Sequence, residues 1–506
     1  MSRMWRSAAS VAAAMLVLLA LPAAALAHAT LIGSKPGDGR TLKRSPGEFL
    51  LKFDEGIDME LVRLRVEDSA GRSVAVADPY HPGGREELIA VRVARRLDDG
   101  TYVARFRVIS EDGHPVGRRT VFRVRSPEPA VDRRRQPAGP EAAGATTPPM
   151  DGGGEEHVDE LTGGVTDAAF GVARGAGYLA MALAIGASVF LLVVWLPSLA
   201  QQAGPQAGWR ASSERFVKQV RRVVLGAVLL GLAASAAAIV LEAATAVGVS
   251  FWGALDAERL DLVADTRVVR AWGARFIVWI VLGVLVAVAL RPGRSPVLRR
   301  AALGADGVAL APAPSRAQQV LLLAVVLALV LTVPMAGHAG THTPRGLLIC
   351  VDAAHVLCMS IWIGGLAMLL VALAVAARSV PGRDRAPLMA VVVGRFSRLA
   401  TIVVAVLVGT GIVQSVVLVG SVGALFETAY GRLVLAKVAL LLGLLCVGAY
   451  NQRRTLPRLR RLAAAGDGPG ATDAILGRAV AAELALAIVV IGVTSVLVVT
   501  APPGPS

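Results

Sequence analysis

A chain of 506 residues, 55% of them hydrophobic, is too long for one domain and too apolar for an ordinary soluble protein. Its net charge of +15 would suggest nucleic acid in a soluble chain. Here the arginines stand mostly in short loops between apolar runs, so the expected partner is the lipid bilayer and not nucleic acid. Cys350, Cys358 and Cys446 all lie in apolar stretches, which supports no disulfide framework.

Residues 1–27 read as a signal peptide. Arg3 and Arg6 make the start positive, Val11 to Leu21 is a short apolar core, and Ala25-Leu26-Ala27 is a small-x-small cleavage site. Cleavage after Ala27 makes His28 the first mature residue. A free α-amine and an imidazole on one residue can chelate a single metal ion, and both nitrogens suit Cu(II).

Residues 28–125 alternate with period two: Phe49, Leu51, Phe53; Val62, Leu64, Val66; Ile89, Val91, Val93; Tyr102, Ala104, Phe106, Val108; Phe122, Val124. Such runs are half-buried strands, and the Gly-, Pro- and Asp-rich turns between them are spaced for a small antiparallel sandwich. His81, in a Pro-Gly turn, is expected to be merely solvated. Asp112 and His114 stand two apart, so an extended backbone presents a carboxylate and an imidazole on one side.

These residues carry a resemblance. His28-Ala-Thr-Leu31, Ser34-Lys-Pro36-Gly-Asp-Gly39, Phe53-Asp-Glu55, Gly100-Thr-Tyr102 and Ser110-Glu-Asp112-Gly-His114-Pro115 resemble the CopC copper-resistance family, across nearly the whole segment and in order. The resemblance implies an Ig-like β-sandwich that binds Cu(II) through His28, Asp112 and His114, with Glu55 near the site in some members. Members with a second, Cu(I) site use a methionine-rich segment. This segment has only Met59, so no Cu(I) site is expected in it.

Residues 126–168, rich in Pro, Gly, Ala and charge, read as a flexible tether in which His157 is solvated. Residues 169–506 hold eight apolar runs, near 175–196, 223–247, 274–290, 320–335, 347–376, 399–419, 433–449 and 479–499. The expectation is an all-α polytopic bundle of eight helices. With the β-domain outside, the arginine-rich loops after the first, third, fifth and seventh runs fall inside, and the C-terminus returns to the outside. The chain is then a multi-pass protein of a bacterial cytoplasmic membrane. Glu242, Lys437 and Glu483 are further intramembrane charges, at least as well explained by structural pairing as by transport.

The fifth run is unusual. His338 and His342 precede a helix that carries Asp352, His355, Met359 and Trp362 at i, i+3, i+7 and i+10, on one face. Ionisable groups at membrane depth mark pathways, and imidazole and thioether donors suit Cu(I). Gly337-His338-Ala339, Asp352-Ala-Ala-His355, Trp362-Ile-Gly364-Gly365-Leu366, Arg395-Phe-Ser397-Arg398-Leu399-Ala400, Thr410-Gly411 and Thr428-Ala-Tyr430-Gly431-Arg432 with Lys437 resemble the CopD copper-resistance membrane family.

The two resemblances together imply copper capture in the envelope and movement across the membrane toward the cytoplasm, with envelope copper chaperones or a reductase as candidate partners. Alternatives are a copper-storage or resistance protein without transport, and a b-type haem redox protein with histidine axial ligands. No enzymatic activity is expected. No G-x-x-x-x-G-K-[ST] nucleotide motif occurs, so transport is not powered by nucleotide hydrolysis in this chain.

Overall fold

The computed structural model describes residues 31–500 except 54–55, 75, 111–114, 126–163, 203–206, 248, 265, 290–299, 304–308, 314–315, 338–343, 381, 456, 459–460, 462–468 and 499. The described residues form a β unit and a helical unit.

In the β unit, strands β1 (Leu31–Lys35), β3 (Glu48–Phe53) and β6 (Leu88–Arg92) make an antiparallel sheet in the order β1-β3-β6. Strands β2 (Thr41–Leu42), β4 (Ile57–Asp68), β5 (Ser73–Val74), β7 (Gly100–Ser110) and β8 (Pro115–Val124) make a second sheet, ordered β2-β8-β7-β4-β5. Period-two alternation sends Leu51, Phe53, Ile89 and Val91 of the first sheet against Ile57, Val62, Phe106 and Val108 of the second, in one core cluster. A second cluster holds Phe49, Val66, Tyr102, Ala104, Phe122 and Val124. Tyr102 stacks on Phe122 at 5.6 Å, and Phe53 meets Phe106 edge-on at 5.9 Å. The all-β sandwich read from the alternation is the fold observed.

The β4–β5 turn is closed by Asp68, whose carboxylate accepts from the backbone N–H groups of Ala70 and Arg72 and from Arg72 Nε. Those donors, the Arg72 backbone first, hold the Asp68 carboxyl below the ordinary aspartate value. Gly71 at the same turn has φ +76, open only to a residue without Cβ strain. His81 departs from expectation: it is half-buried and its Nδ1 donates to the Leu88 carbonyl at 2.7 Å. The carbonyl can only accept, so the ring pins its turn to β6 and is more than a solvated side chain.

Among the described residues, the helical unit has eight principal helices. They are α1 (Gly164–Val189), α2 (Ala207–Val247), α3 (Arg267–Ala289), α4 (Arg316–Met335), α5 (Arg345–Ser379), α6 (Gly382–Val419), α7 (Ala429–Tyr450) and α8 (Pro469–Leu497). A π-helical turn, Phe190–Trp195, carries α1 on into Leu196–Gln202. Among the described residues, seven of the eight expected runs are helices long and apolar enough to cross a membrane. The fourth is the shorter apolar helix Gln319–Met335, which runs into Pro334 and Gly337. Leu229, Ile277, Leu323, Ile402, Val416 and Leu442 are exposed, as lipid-facing side chains are and as a soluble protein would avoid. The unit is a multi-pass membrane bundle.

Small residues bring α1 and α5 into backbone contact. A Cβ on Gly186 would collide with the Gly364 backbone, and one on Gly364 with the Ala182 carbonyl. The same logic seats Trp279 of α3 over Gly231 of α2 and Phe396 of α6 over Gly365 of α5. Around these contacts Trp195 stacks on Phe216 at 4.2 Å, and Phe190 packs on Phe396 at 5.8 Å.

Candidate metal centre

His28, Glu55, Asp112 and His114 lie outside the described residues, as do His338 and His342. Their flanking scaffold is described. Leu31, three residues beyond His28, pairs with Phe53, two residues before Glu55. Ile57, two residues after Glu55, pairs with Ser110, while Ile109 pairs with Pro115. Asp112 and His114 are the chain between Ser110 and Pro115. Leu31, Phe53, Ile57 and Val108 share one core cluster, so the strand ends nearest to all four sequence candidates converge at one end of the sandwich.

In the helical unit, Asp352, His355 and Met359 stand on α5, and α6 runs antiparallel to it. His355 Nδ1 lies 3.0 Å from Thr410 Oγ1, and Gln414 Nε2 donates to Asp352 Oδ1 at 2.8 Å. The spacings match: i and i+3 on α5 meet i+4 and i on α6. The imidazole lies against Gly411, where a Cβ would already touch Cε1 at 3.5 Å. Met359 packs against the main helical core, and Cys358 is buried beside it.

Among the described residues no three His, Cys, Asp or Glu side chains come together as a metal group. Asp352 and His355 thus supply one oxygen and one nitrogen donor, and a metal ion held there needs further donors. Farther along the same face, Trp362 enters a cavity of about 430 Å³ lined also by Phe396, Thr401, Leu445, Asn451 and Glu483. Its described lining has no imidazole or sulfur, and Asn451 Nδ2 donates to Glu483 Oε1.

Three segments match family models: residues 31–125 the CopC domain, 165–315 the N-terminal domain of copper resistance protein D-like proteins, and 390–497 copper resistance protein D. These matches, in that order, give the chain the architecture of a CopC–CopD fusion. Copper transport protein CutJ of Bacillus subtilis (strain 168) is 27% identical to the fusion over 448 residues, 87% of this chain and 72% of that protein. CopC from Methylosinus trichosporium OB3b is 26% identical, covering 21% of this chain and 100% of its own, with a TM-score of 0.19. PcoC, a methionine rich copper resistance protein from Escherichia coli, is 23% identical, covering 20% and 100%, with a TM-score of 0.18.

Several polar residues of the fusion's membrane half escape a reading of single spans. Gln414 and Thr410 gain meaning only from residues 62 and 55 positions away. Arg275 sits inside an apolar run, yet it is buried: its Nε donates to Thr332 Oγ1, its Nη2 to the Thr332 carbonyl, and its guanidinium lies 3.9 Å over Trp272. Arg174 is likewise buried, with Nη1 donating to the Val498 carbonyl and the guanidinium over Phe170. A charge within or at the edge of an otherwise apolar span is the signal that would have found the two arginines.

Proposed function

We propose that this fusion captures copper on the extracytoplasmic side and passes it through the membrane toward the cytoplasm, copper being cargo and not a resident cofactor. Residues 1–27 are removed on export, residues 28–125 are the capture domain, residues 126–168 tether it, and residues 169–506 form the membrane path. Both ends of the mature chain are then extracytoplasmic, a topology that the arginine-rich loops support.

In this reading Cu(II) is held by the α-amine and imidazole of His28 with Asp112 and His114, and Glu55 stands close by. His338 and His342 receive the ion at the mouth of the bundle, and His355, Asp352 and Met359 take it inward. Imidazole and thioether donors there suit Cu(I). The change of oxidation state takes one electron per ion from an envelope reductase or a reducing copper chaperone. No step in the reading is enzymatic turnover of a substrate.

The observation that supports it most is the meeting of Asp352 and His355 with Thr410 and Gln414 within a bilayer-spanning bundle. Desolvating such groups is costly, and in membrane proteins they line substrate routes. The relationship to copper resistance and transport proteins supplies the identity of the ion. The test is radiocopper accumulation in cells with and without the gene. More intracellular copper with the gene supports import. Less would reverse the direction, and an increase confined to the membrane fraction would replace transport by storage.

A further inference from the structure

Hydrogen-bond bookkeeping around Thr410 decides which nitrogen of His355 can bind a ligand. Thr410 Oγ1 lies 2.8 Å from the Val406 carbonyl and 3.0 Å from the Leu407 carbonyl. Both carbonyls can only accept, so the single hydroxyl proton is committed to them. The contact with His355 Nδ1 at 3.0 Å then requires the ring to donate. Turning the hydroxyl proton toward Nδ1 would leave its oxygen lone pairs facing two carbonyl oxygens at bonding distance.

We infer that Thr410 is a positioning residue that holds His355 as the Nδ1–H tautomer and leaves the Nε2 lone pair as the donor offered to a metal ion. The inference rests on the proposed membrane route for its transport consequence, while the tautomer itself does not. Gln414 does the parallel task one turn along α6: its amide occupies Asp352 Oδ1 and fixes the carboxylate plane. Gly411 gives the imidazole room against bare α6 backbone. A ring held in one tautomer and one orientation is what a metal-ligating histidine needs, and such orienting partners are usually worth 10–100-fold in affinity or activity, roughly.

The experiment uses the full chain in detergent micelles, free of copper, with ¹⁵N-labelled histidine at about pH 8, above the ordinary histidine value. The His355 signals are assigned by their loss in His355→Ala. A hydrogen on Nδ1 and none on Nε2 is expected, kept in Thr410→Ser and lost or mixed in Thr410→Val. A hydrogen on Nε2 in the native chain overturns the inference. In cells, Thr410→Val should lower copper accumulation about tenfold, with rescue by Thr410→Ser. If His355→Ala abolishes accumulation while Thr410→Val at equal membrane abundance leaves it normal, the positioning role is wrong. If His355→Ala accumulates normally, the copper route is wrong, and the nitrogen shifts still decide the tautomer.

Discussion

Gly186 of α1 and Gly364 of α5 touch through bare backbone, so that neither position has space for a methyl group. The obstacle on each side is main chain, which cannot swing away as a side chain can. Gly364→Val should therefore force α1 and α5 apart and lower the amount of monodisperse protein recovered from membranes. Overpacking usually costs about 1–3 kcal/mol, and contact with backbone belongs at or above the upper end. Gly177→Ala, on α1 with nothing within 4 Å of the added Cβ, is the matched control. Equal thermal stability of the two variants by size-exclusion after heating would count against the close crossing.

The Trp362-Ile-Gly364-Gly365-Leu366 pattern was visible in the sequence, but its reason was not, because that reason lies on α1. The same division runs through the whole molecule. Strands were legible where alternation alone decides which side is buried, as at Phe49, Leu51 and Phe53, and the spans were legible from hydropathy. His355 and Asp352 stood out as ionisable groups in an apolar helix. Thr410 stood out only within the CopD-like Thr410-Gly411 pair and Gln414 not at all, since a threonine and a glutamine acquire a task only from the helix they face. His81 was misjudged for a similar reason: the carbonyl that holds it belongs to Leu88 on a separate strand.

The β unit should lose stability in alkali through Tyr102. Its ring is buried and its hydroxyl donates to the Asp98 carbonyl at 2.9 Å. Burial first, then the negative charges of Asp98 and Asp68, push the phenol above its ordinary value. A raised folded value means that the contribution is fully present below the unfolded pKa, about 10, and is lost as pH rises through the folded one. The sandwich has two core clusters of its own, so residues 28–125 can be measured alone. Thermal midpoints between about pH 8 and 11 should fall more steeply for the native domain than for Tyr102→Phe. At neutral pH that variant should be weaker by about 1 kcal/mol from the lost hydrogen bond. Parallel alkaline curves would exclude Tyr102 as the cause.

Cu(II) capture should depend on where the mature chain begins. If His28 chelates through its amine as well as its ring, one additional residue before His28 converts the amine to an amide and breaks the chelate without touching any strand. Affinity for Cu(II) by competition titration should drop about tenfold or more, at least about 1.4 kcal/mol. The melting curve of the metal-free domain should not move. Unchanged affinity in the extended domain would remove His28 from the donor set.

Capture and passage should be separable by two single substitutions. His114→Ala removes an imidazole from the exported domain, so isolated residues 28–125 should bind Cu(II) more weakly, and whole cells should accumulate less copper when it is scarce but approach the native level when it is abundant. His355→Ala acts at another stage. It removes the one imidazole that α5 presents to α6, at a depth where water cannot replace a lost ligand cheaply. Accumulation should then fail at every copper concentration, while Cu(II) binding by the exported domain stays as in the native chain. The hydrogen bond between Gln414 and Asp352 should keep the α5–α6 contact in place, so that abundance in the membrane is unchanged and the loss is attributable to the ligand. Normal accumulation by His355→Ala at native abundance would close this route, whereas saturation behaviour like that of His114→Ala would move His355 from the path to the capture step.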